Sequence, residues 1–290
     1  MPEDIEIVRD LRKQVIDWGV SAVHAQDAWK ETKGESVKVV IIDTGVDTNH
    51  PDLAENIKFT YNTMNDTDNV YDDNGHGTHV AGIIAGVDND FGIVGIAPKV
   101  DLYILKAMGA NGSGTIVSIV KAVYIAISQG VDIISMSLGV CKEPDSRLHD
   151  ALKVAHEQGI IIVAASGNEA HDCDYPAKYE ECIAVGAVDS DFEVADFSNT
   201  GVELDIVAPG VDILSTYPGG VYARLSGTSM ATPIVSGVIA LYISHCKVRG
   251  IHYSFETVLE KLGTAKDLGT AGQDPVYGKG LVDALTILQD

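Results

Sequence analysis

Basic residues and cysteine are both scarce in this 290-residue chain. Lys and Arg total 20 against 42 Asp and Glu, a formal net charge of −22. Phosphate backbones are gripped through Lys and Arg, so nucleic acid is not an expected partner. The same balance disfavours anionic membrane surfaces, and no apolar run in the sequence approaches the length of a membrane span. The four cysteines, Cys141, Cys173, Cys182 and Cys246, fit no C-x-x-C metal pattern and are too few for a disulfide scaffold. A bridge between Cys173 and Cys182 across a short loop stays open beside the simpler reading of buried reduced thiols. The first ten residues hold four acids and no hydrophobic core, so they do not read as a secretory signal. With Met1 as the native start the expected location is cytoplasmic; if the chain is a trimmed one, secretion is the alternative. Nothing in the composition sets an oligomeric state.

What is present suits a compact fold: 46% apolar residues and 29 glycines. Short β-branched runs recur, at Val37–Asp43, Asp101–Lys106, Asp132–Ser137, Ile160–Ala165 and Ile183–Val188. Between them lie segments with helical spacing, such as Ser113–Ser128 and Ser146–Gln158, the second stopped by Gly159. Strand–helix–strand alternation predicts an α/β fold: a mainly parallel twisted sheet with helices on both faces. No repeat or linker divides the chain. Residues 14–290 read as one domain, with residues 1–13 as a short acidic extension.

In such sheets ligands collect where strands end at their carboxyl side. Asp43 follows one predicted strand, Ser137-Leu138-Gly139 another, and Ser166-Gly167-Asn168 a third. Two further segments stand out. Asn74-Gly75-His76-Gly77-Thr78-His79 opens an apolar helix, and Ser226-Gly227-Thr228-Ser229-Met230-Ala231-Thr232-Pro233 precedes another, Ile234–Ile243. Each piece has an ordinary reading alone: a turn-forming Asp, a His pair for a metal, a Ser that caps a helix with Pro233 in its first turn. No H-E-x-x-H accompanies the histidines. Together, acid, imidazole and hydroxyl are what nucleophilic acyl transfer requires. The order Asp, His, Ser sets aside the α/β-hydrolases, whose nucleophile sits in G-x-S-x-G and comes first. A nucleotide-binding reading lacks both G-x-G-x-x-G and a P-loop, since Gly45 is followed by Val46-Asp47-Thr48.

With these motifs the chain resembles the subtilisin family of serine proteases, from about Gln14 to its end. Asp43-Thr-Gly45, His76-Gly-Thr-His79-Val-Ala-Gly82 and Gly227-Thr-Ser229-Met-Ala231-Thr-Pro233 match the three active-site signatures. Ala165-Ser-Gly-Asn168 matches the segment that supplies a side-chain oxyanion donor. The resemblance implies the three-layer subtilisin architecture and a serine endopeptidase acting on proteins or peptides. Asp43 would be the orienter, His76 the general base and acid, Ser229 the nucleophile and Asn168 an oxyanion donor. A catalytically silent, peptide-binding relative is the alternative that the intact motifs argue against.

The resemblance further implies cleft walls built from Met108, Gly109, Asn111, Gly112 and Ser113 on one side and Ser137, Leu138 and Gly139 on the other. A peptide would pair with them as an added strand, which favours broad specificity. The loop after Asn168 departs in carrying Glu169, Asp172 and Asp174. All three fall near the expected primary pocket, where they would favour Lys or Arg, or else remain solvated loop charges. Calcium is the implied metal, held by Gln14, Asp52, the Asn89 side chain and the carbonyls of Val87, Phe91 and Ile93, an all-oxygen set that suits a hard cation. Ile234 replaces a histidine common after the serine-motif proline. Ahead of Gln14 stands only a short acidic extension, as in intracellular subtilisins, where such a peptide can lie across the cleft as an inhibitor. Asp4–Val8 has strand-like alternation but lacks the usual Pro-Tyr motif.

Overall fold

The computed structural model describes residues 5–289. Strand β1 (Glu6–Val8) is followed by helices α1 (Trp18–Ala22) and α2 (Ala25–Ala28). Then come β2 (Lys38–Asp43), β3 (Ile57–Asn62), α3 (His76–Ala85), β4 (Asp101–Lys106), α4 (Ile116–Gln129) and β5 (Ile133–Met136). The chain continues through α5 (Arg147–Glu157), β6 (Ile161–Ala165), β7 (Cys182–Val188), β8 (Ile206–Pro209), β9 (Ile213–Tyr217) and β10 (Val221–Leu225). Then come α6 (Thr228–Arg249), α7 (Phe255–Leu262) and a last 3-10 turn at Thr286–Leu288.

Seven strands form one sheet in the order β3-β4-β2-β5-β6-β7-β8, every neighbour pair parallel. Its side chains alternate between two cores. Val39 and Ile41 of β2 pack into one with α3 and α6; Val40 and Ile42 pack into the other with α4 and α5. This two-sided burial is why the strands read as unbroken apolar runs, and it bears out the doubly covered parallel sheet. β2 is the switch point, with β4 on one side and β5 on the other, so Asp43 at its carboxyl end faces the crevice where ligands bind.

The helix boundaries sharpen the sequence reading. α4 starts at Ile116 because Thr115 caps it: the Thr115 hydroxyl accepts from Ser118 N while the Ser118 hydroxyl accepts from Thr115 N. α6 begins at Thr228, with Gly227 as its cap, so Ser229 lies inside the first turn and Pro233 falls in the second rather than the first. Proline removes the N–H that would bond the carbonyl four residues back. That carbonyl belongs to Ser229, and it accepts instead from the Ser137 hydroxyl at 2.9 Å. The missing bond is thereby satisfied and the first turn of α6 is tied to the end of β5. α6 also corrects the expectation about apolar runs. By length and composition it is apolar enough to cross a bilayer, yet 94% of its apolar stretch is buried in protein, so it reads as a core helix.

A second sheet, of which the sequence showed only the alternation at β1, is antiparallel: β1-β10-β9. It pins α3. The Ser215 hydroxyl donates to the His79 carbonyl (2.6 Å) and the Thr216 hydroxyl to the Thr78 carbonyl (2.7 Å). The four cysteines are free; Cys173, Cys182 and Cys246 are buried, while Cys141 is exposed.

Candidate active site

Asp43 is fully buried, and its backbone carbonyl takes the amides of Ala107 and Met108 as the chain leaves β4. Its carboxylate reaches His76 Nδ1 at 2.8 and 3.0 Å and accepts the Thr44 amide at 2.7 Å. A carboxylate only accepts, so Nδ1 carries the proton and Nε2 is left bare toward the cleft. His76 opens α3, and its side chain is 26% exposed. Burial alone would lower its pKa, but the Asp43 charge and hydrogen bond, with Asp72 beyond, outweigh that and hold it above the ordinary value.

Asp72 was missed by the sequence reading. It is buried and accepts the Thr44 hydroxyl (2.8 Å), the Asn74 amide (3.2 Å), the Gly75 amide (2.8 Å), and both the amide (2.8 Å) and hydroxyl (2.6 Å) of Thr78. Thr44 in turn accepts the Gly77 amide at 2.9 Å. The carboxylate thus staples the end of β2 to the start of α3, which sets the spacing between Asp43 and His76. Burial would raise the Asp72 pKa; the hydrogen bonds from Thr78, Gly75 and Thr44 reverse this and lower it. A paired acid three and four residues ahead of the helix-opening histidine, Asp72-Asp73, is the signal that was available. Asp73 holds the buried Lys106 ammonium at 2.9 Å, which also donates to the Thr44 carbonyl.

His79, the other member of the apparent metal pair, faces away. It is buried, its Nε2 meets the carbonyls of Ile213 and Ala223 at 3.0 Å each, and burial pushes its pKa down to about 3. It joins α3 to the second sheet.

The Ser229 hydroxyl donates to the Ser137 carbonyl at 3.3 Å, and no hydrogen bond between it and His76 occurs among the described residues. His76 and Ser137 line one cleft of about 730 Å³. The Ser229 hydroxyl is thus held against a residue of the cleft wall that His76 also lines, and a χ1 rotation redirects it. Active-site hydrogen bonds commonly tighten only when substrate binds. Asn168 is held from behind: its Oδ1 accepts the Thr228 amide (2.9 Å) and hydroxyl (3.0 Å), and its NH₂ has no hydrogen bond among the described residues. Ser229 N, in the first turn of α6, is one of the amides a helix start leaves unpaired.

Met108, Asn111, Gly112, Ser113, Ser137, Leu138 and Gly139 all line this cleft. Gly109 lies just behind the wall, its amide bonded to the Ser113 carbonyl at 3.0 Å. Ile5, from the extension, also lines the cleft, and the β1 residues after it pair with β10; Asp4 lies outside the described residues. Glu169 and Asp174 are not part of the cleft wall. Asp174 lies under the slot between the two strand ends: its Cβ would be 3.1 Å from a methyl placed on Gly139, and its amide donates to the Ser166 carbonyl at 2.7 Å. It is 4% exposed, and burial with the neighbouring Glu169 charge raises its pKa.

The six residues expected around calcium also converge. Asp52 is fully buried, has no ion-pair partner among the described residues, and accepts from Asn89 Nδ2 (2.8 Å), the Ile93 amide (2.9 Å) and the Tyr222 hydroxyl (2.9 Å). Gln14 Nε2 donates to the Val87 carbonyl at 3.1 Å, and the Phe91 amide to Asn89 Oδ1 at 2.9 Å. Gly92, at φ +63°, lets the loop pass so close that any side chain there would collide with the Asp52 carboxylate. A buried, unpaired carboxylate ringed by amides and carbonyls fits a hard cation.

A covered parallel sheet, a buried acid on an imidazole at its switch point, and a serine at a helix start define the class. Residues 34–280 match the Subtilase family, and the chain belongs to that family. It is 48% identical to an intracellular serine protease of Paenibacillus polymyxa over 81% of this chain and 75% of that one. It is 43% identical to Subtilisin Savinase of Lederbergia lenta, covering 93% of this chain and 98% of the relative. Against the major intracellular serine protease of Bacillus subtilis (strain 168) the identity is 45%, over 78% and 75%. The chain is a subtilisin-like serine endopeptidase.

Proposed function

We propose that this protease works through an Asp43–His76–Ser229 triad and an acyl-enzyme, and the observation that carries the reading is the contact of His76 Nδ1–H with both oxygens of the buried Asp43 carboxylate. With Nδ1 protonated, Nε2 takes the Ser229 proton as Oγ bonds to the scissile carbonyl carbon. The oxyanion is met by Asn168 Nδ2 and the Ser229 amide. His76 then returns its proton to the leaving amine as the C–N bond breaks, and a water repeats the cycle to release the acid. The raised His76 pKa suits a base that must hold a proton between the two steps. The test is labelling by a fluorophosphonate: Ser229 is modified in the native protein and nothing is modified in Ser229→Ala. An unlabelled native protein would favour a silent peptide-binding module instead.

The cleft reads extended backbone, so specificity is broad, and the primary pocket favours Lys and Arg. Asp174 supports the latter because its buried Oδ1 has no hydrogen-bond partner and its side chain packs directly behind Gly139 of the cleft wall. Peptides differing only in Lys, Phe or Leu before the scissile bond test it; a preference unaltered by Asp174→Ala rules it out. Gln14, Asp52, Val87, Asn89, Phe91 and Ile93 hold calcium, whose part is structural: it ties the segment before α1 to the 87–93 loop. Two relatives carry names that say intracellular, and free cysteines suit a reducing compartment, so a cytoplasmic location is the reading we favour.

A further inference from the structure

The loop under the primary pocket holds a grouping that peptide hydrolysis leaves unexplained. Glu169, His171 and Asp174 each bring one donor atom to within 4.8 Å of the other two. Asp174 is 4% exposed, and its Oδ1 has no hydrogen-bond partner. A buried carboxylate oxygen left this way is costly unless a cation meets it. The local lysine is taken elsewhere, since Lys178 pairs with Glu203 at 3.7 Å. His171 adds an independent sign. Its Nδ1 lies 2.6 Å from the Asp172 carbonyl, which can only accept, so Nδ1 carries the proton. In the neutral ring Nε2 is then a bare lone pair, 3.9 Å from Glu169 Oε2. A lone pair set against the Glu169 carboxylate is favourable only with something positive between them. An imidazole fixed through its other nitrogen by a backbone carbonyl is also how metal-binding histidines are oriented.

We propose that Glu169, His171 and Asp174 form a binding site for a divalent cation of the zinc class. One imidazole with two carboxylates selects a borderline transition metal over calcium, which takes oxygen alone. Zinc holds such donors at about 2.1 Å, so the three must close in from their present spacing. The Glu169 and His171 side chains are 58% and 43% exposed and have the freedom to do so against the fixed Asp174. Three protein ligands leave a fourth position for water. Glu169 also accepts the Asn168 amide at 2.9 Å, so the site adjoins the oxyanion residue. A bound cation would occupy the place of a Lys or Arg head group and compete with it; this consequence, unlike the site itself, rests on the pocket reading proposed above.

The experiment is a calorimetric titration of Zn²⁺ into the calcium-loaded full chain carrying Ser229→Ala and Cys141→Ser. The first change prevents self-digestion, and the second removes the exposed thiol as a rival ligand. One equivalent is expected, with affinity falling at least tenfold in His171→Ala and in Asp174→Asn. Co²⁺ should give visible absorption bands in the parent that both variants lose. No one-to-one uptake, or uptake unchanged in both variants, overturns the site. The Lys-against-Leu comparison in zinc-free buffer judges the pocket reading separately. Its failure beside intact zinc uptake would remove only the competition.

Discussion

Asp72→Asn is the substitution that most directly probes how this fold fixes its catalytic spacing. The native carboxylate takes five hydrogen bonds, three from backbone amides and two from hydroxyls. Asparagine keeps one accepting oxygen. If it replaces Oδ1, its NH₂ faces the donors of Thr44, Asn74 and Gly75; if it replaces Oδ2, its NH₂ faces those of Thr78. The hydroxyls can rotate and accept, but at least one amide is left unpaired in a buried site. An unpaired buried donor costs about 1–3 kcal/mol, and hydrogen bonds to a charge are worth more than neutral ones. We therefore expect a loss of about 2–4 kcal/mol, roughly 3–7 °C in Tm at this chain length. The pH dependence gives a second readout. The folded-state pKa of Asp72 is lowered, so its contribution is present above the unfolded value and lost as pH falls through the folded one. The variant should lack that acid-side loss. Asp72 also helps to raise His76, and catalysis needs the neutral imidazole. The acid limb of kcat/KM should accordingly move to lower pH in Asp72→Asn. Both proteins should be melted after reaction with a serine-directed inhibitor, so that autolysis does not set the apparent Tm. An unchanged Tm together with an unmoved acid limb would refute the staple and its electrostatic reach.

Three further outcomes are expected. Asn168→Ala should lower kcat by roughly 10²–10³ with little change in KM, the magnitude known for a subtilisin asparagine of this kind, because the donor acts on the oxyanion and not the ground state; steady-state kinetics on one peptide decide it. Chelation should lower the Tm of the inhibited protein, and Asp52→Asn should reproduce the loss and abolish the response to added calcium. A site saturated a thousandfold over its Kd contributes about 4 kcal/mol, so an unmoved melting curve counts against the assignment. Deleting residues 2–13 should raise activity toward peptides chiefly through a lower KM, because Ile5 lines the cleft; equal KM values with and without the segment would remove it as an inhibitor.

The parallel sheet was legible because burial on both faces writes itself as unbroken apolar runs, and β4 is read to the residue. The antiparallel sheet was not. β10 has an intermediate, buried, buried, intermediate, intermediate pattern, and its Tyr222 and Arg224 disguise a strand flanked in space by β9, its neighbour in the chain, and by β1 from the far N-terminal end. The candidate site divides the same way. Asp43, His76, Ser229 and Asn168 announced themselves because motif chemistry is local: each must stand beside particular glycines and threonines. Asp72 did not, because its partners Thr44 and Thr78 meet it only once β2 and α3 are packed.

That division has a consequence for the primary pocket. Asp174 was singled out as one acid among three on a short loop, with a solvated charge as the rival reading. Solvation fails for it, since 4% exposure and an unpartnered Oδ1 leave no water-filled surroundings to screen the charge. Asp172, on the same loop, is exposed and keeps the solvated reading. A buried acid with a raised pKa must meet a cation, bind a metal or take up a proton. The first two alternatives are the basic substrate side chain and the zinc site, and each makes the carboxylate useful in its charged form. The third predicts a pocket indifferent to charge near neutral pH, so the Lys-against-Leu ratio in zinc-free buffer should then be flat where the first requires it to climb as Asp174 ionises, and one-to-one metal uptake separates the second from both.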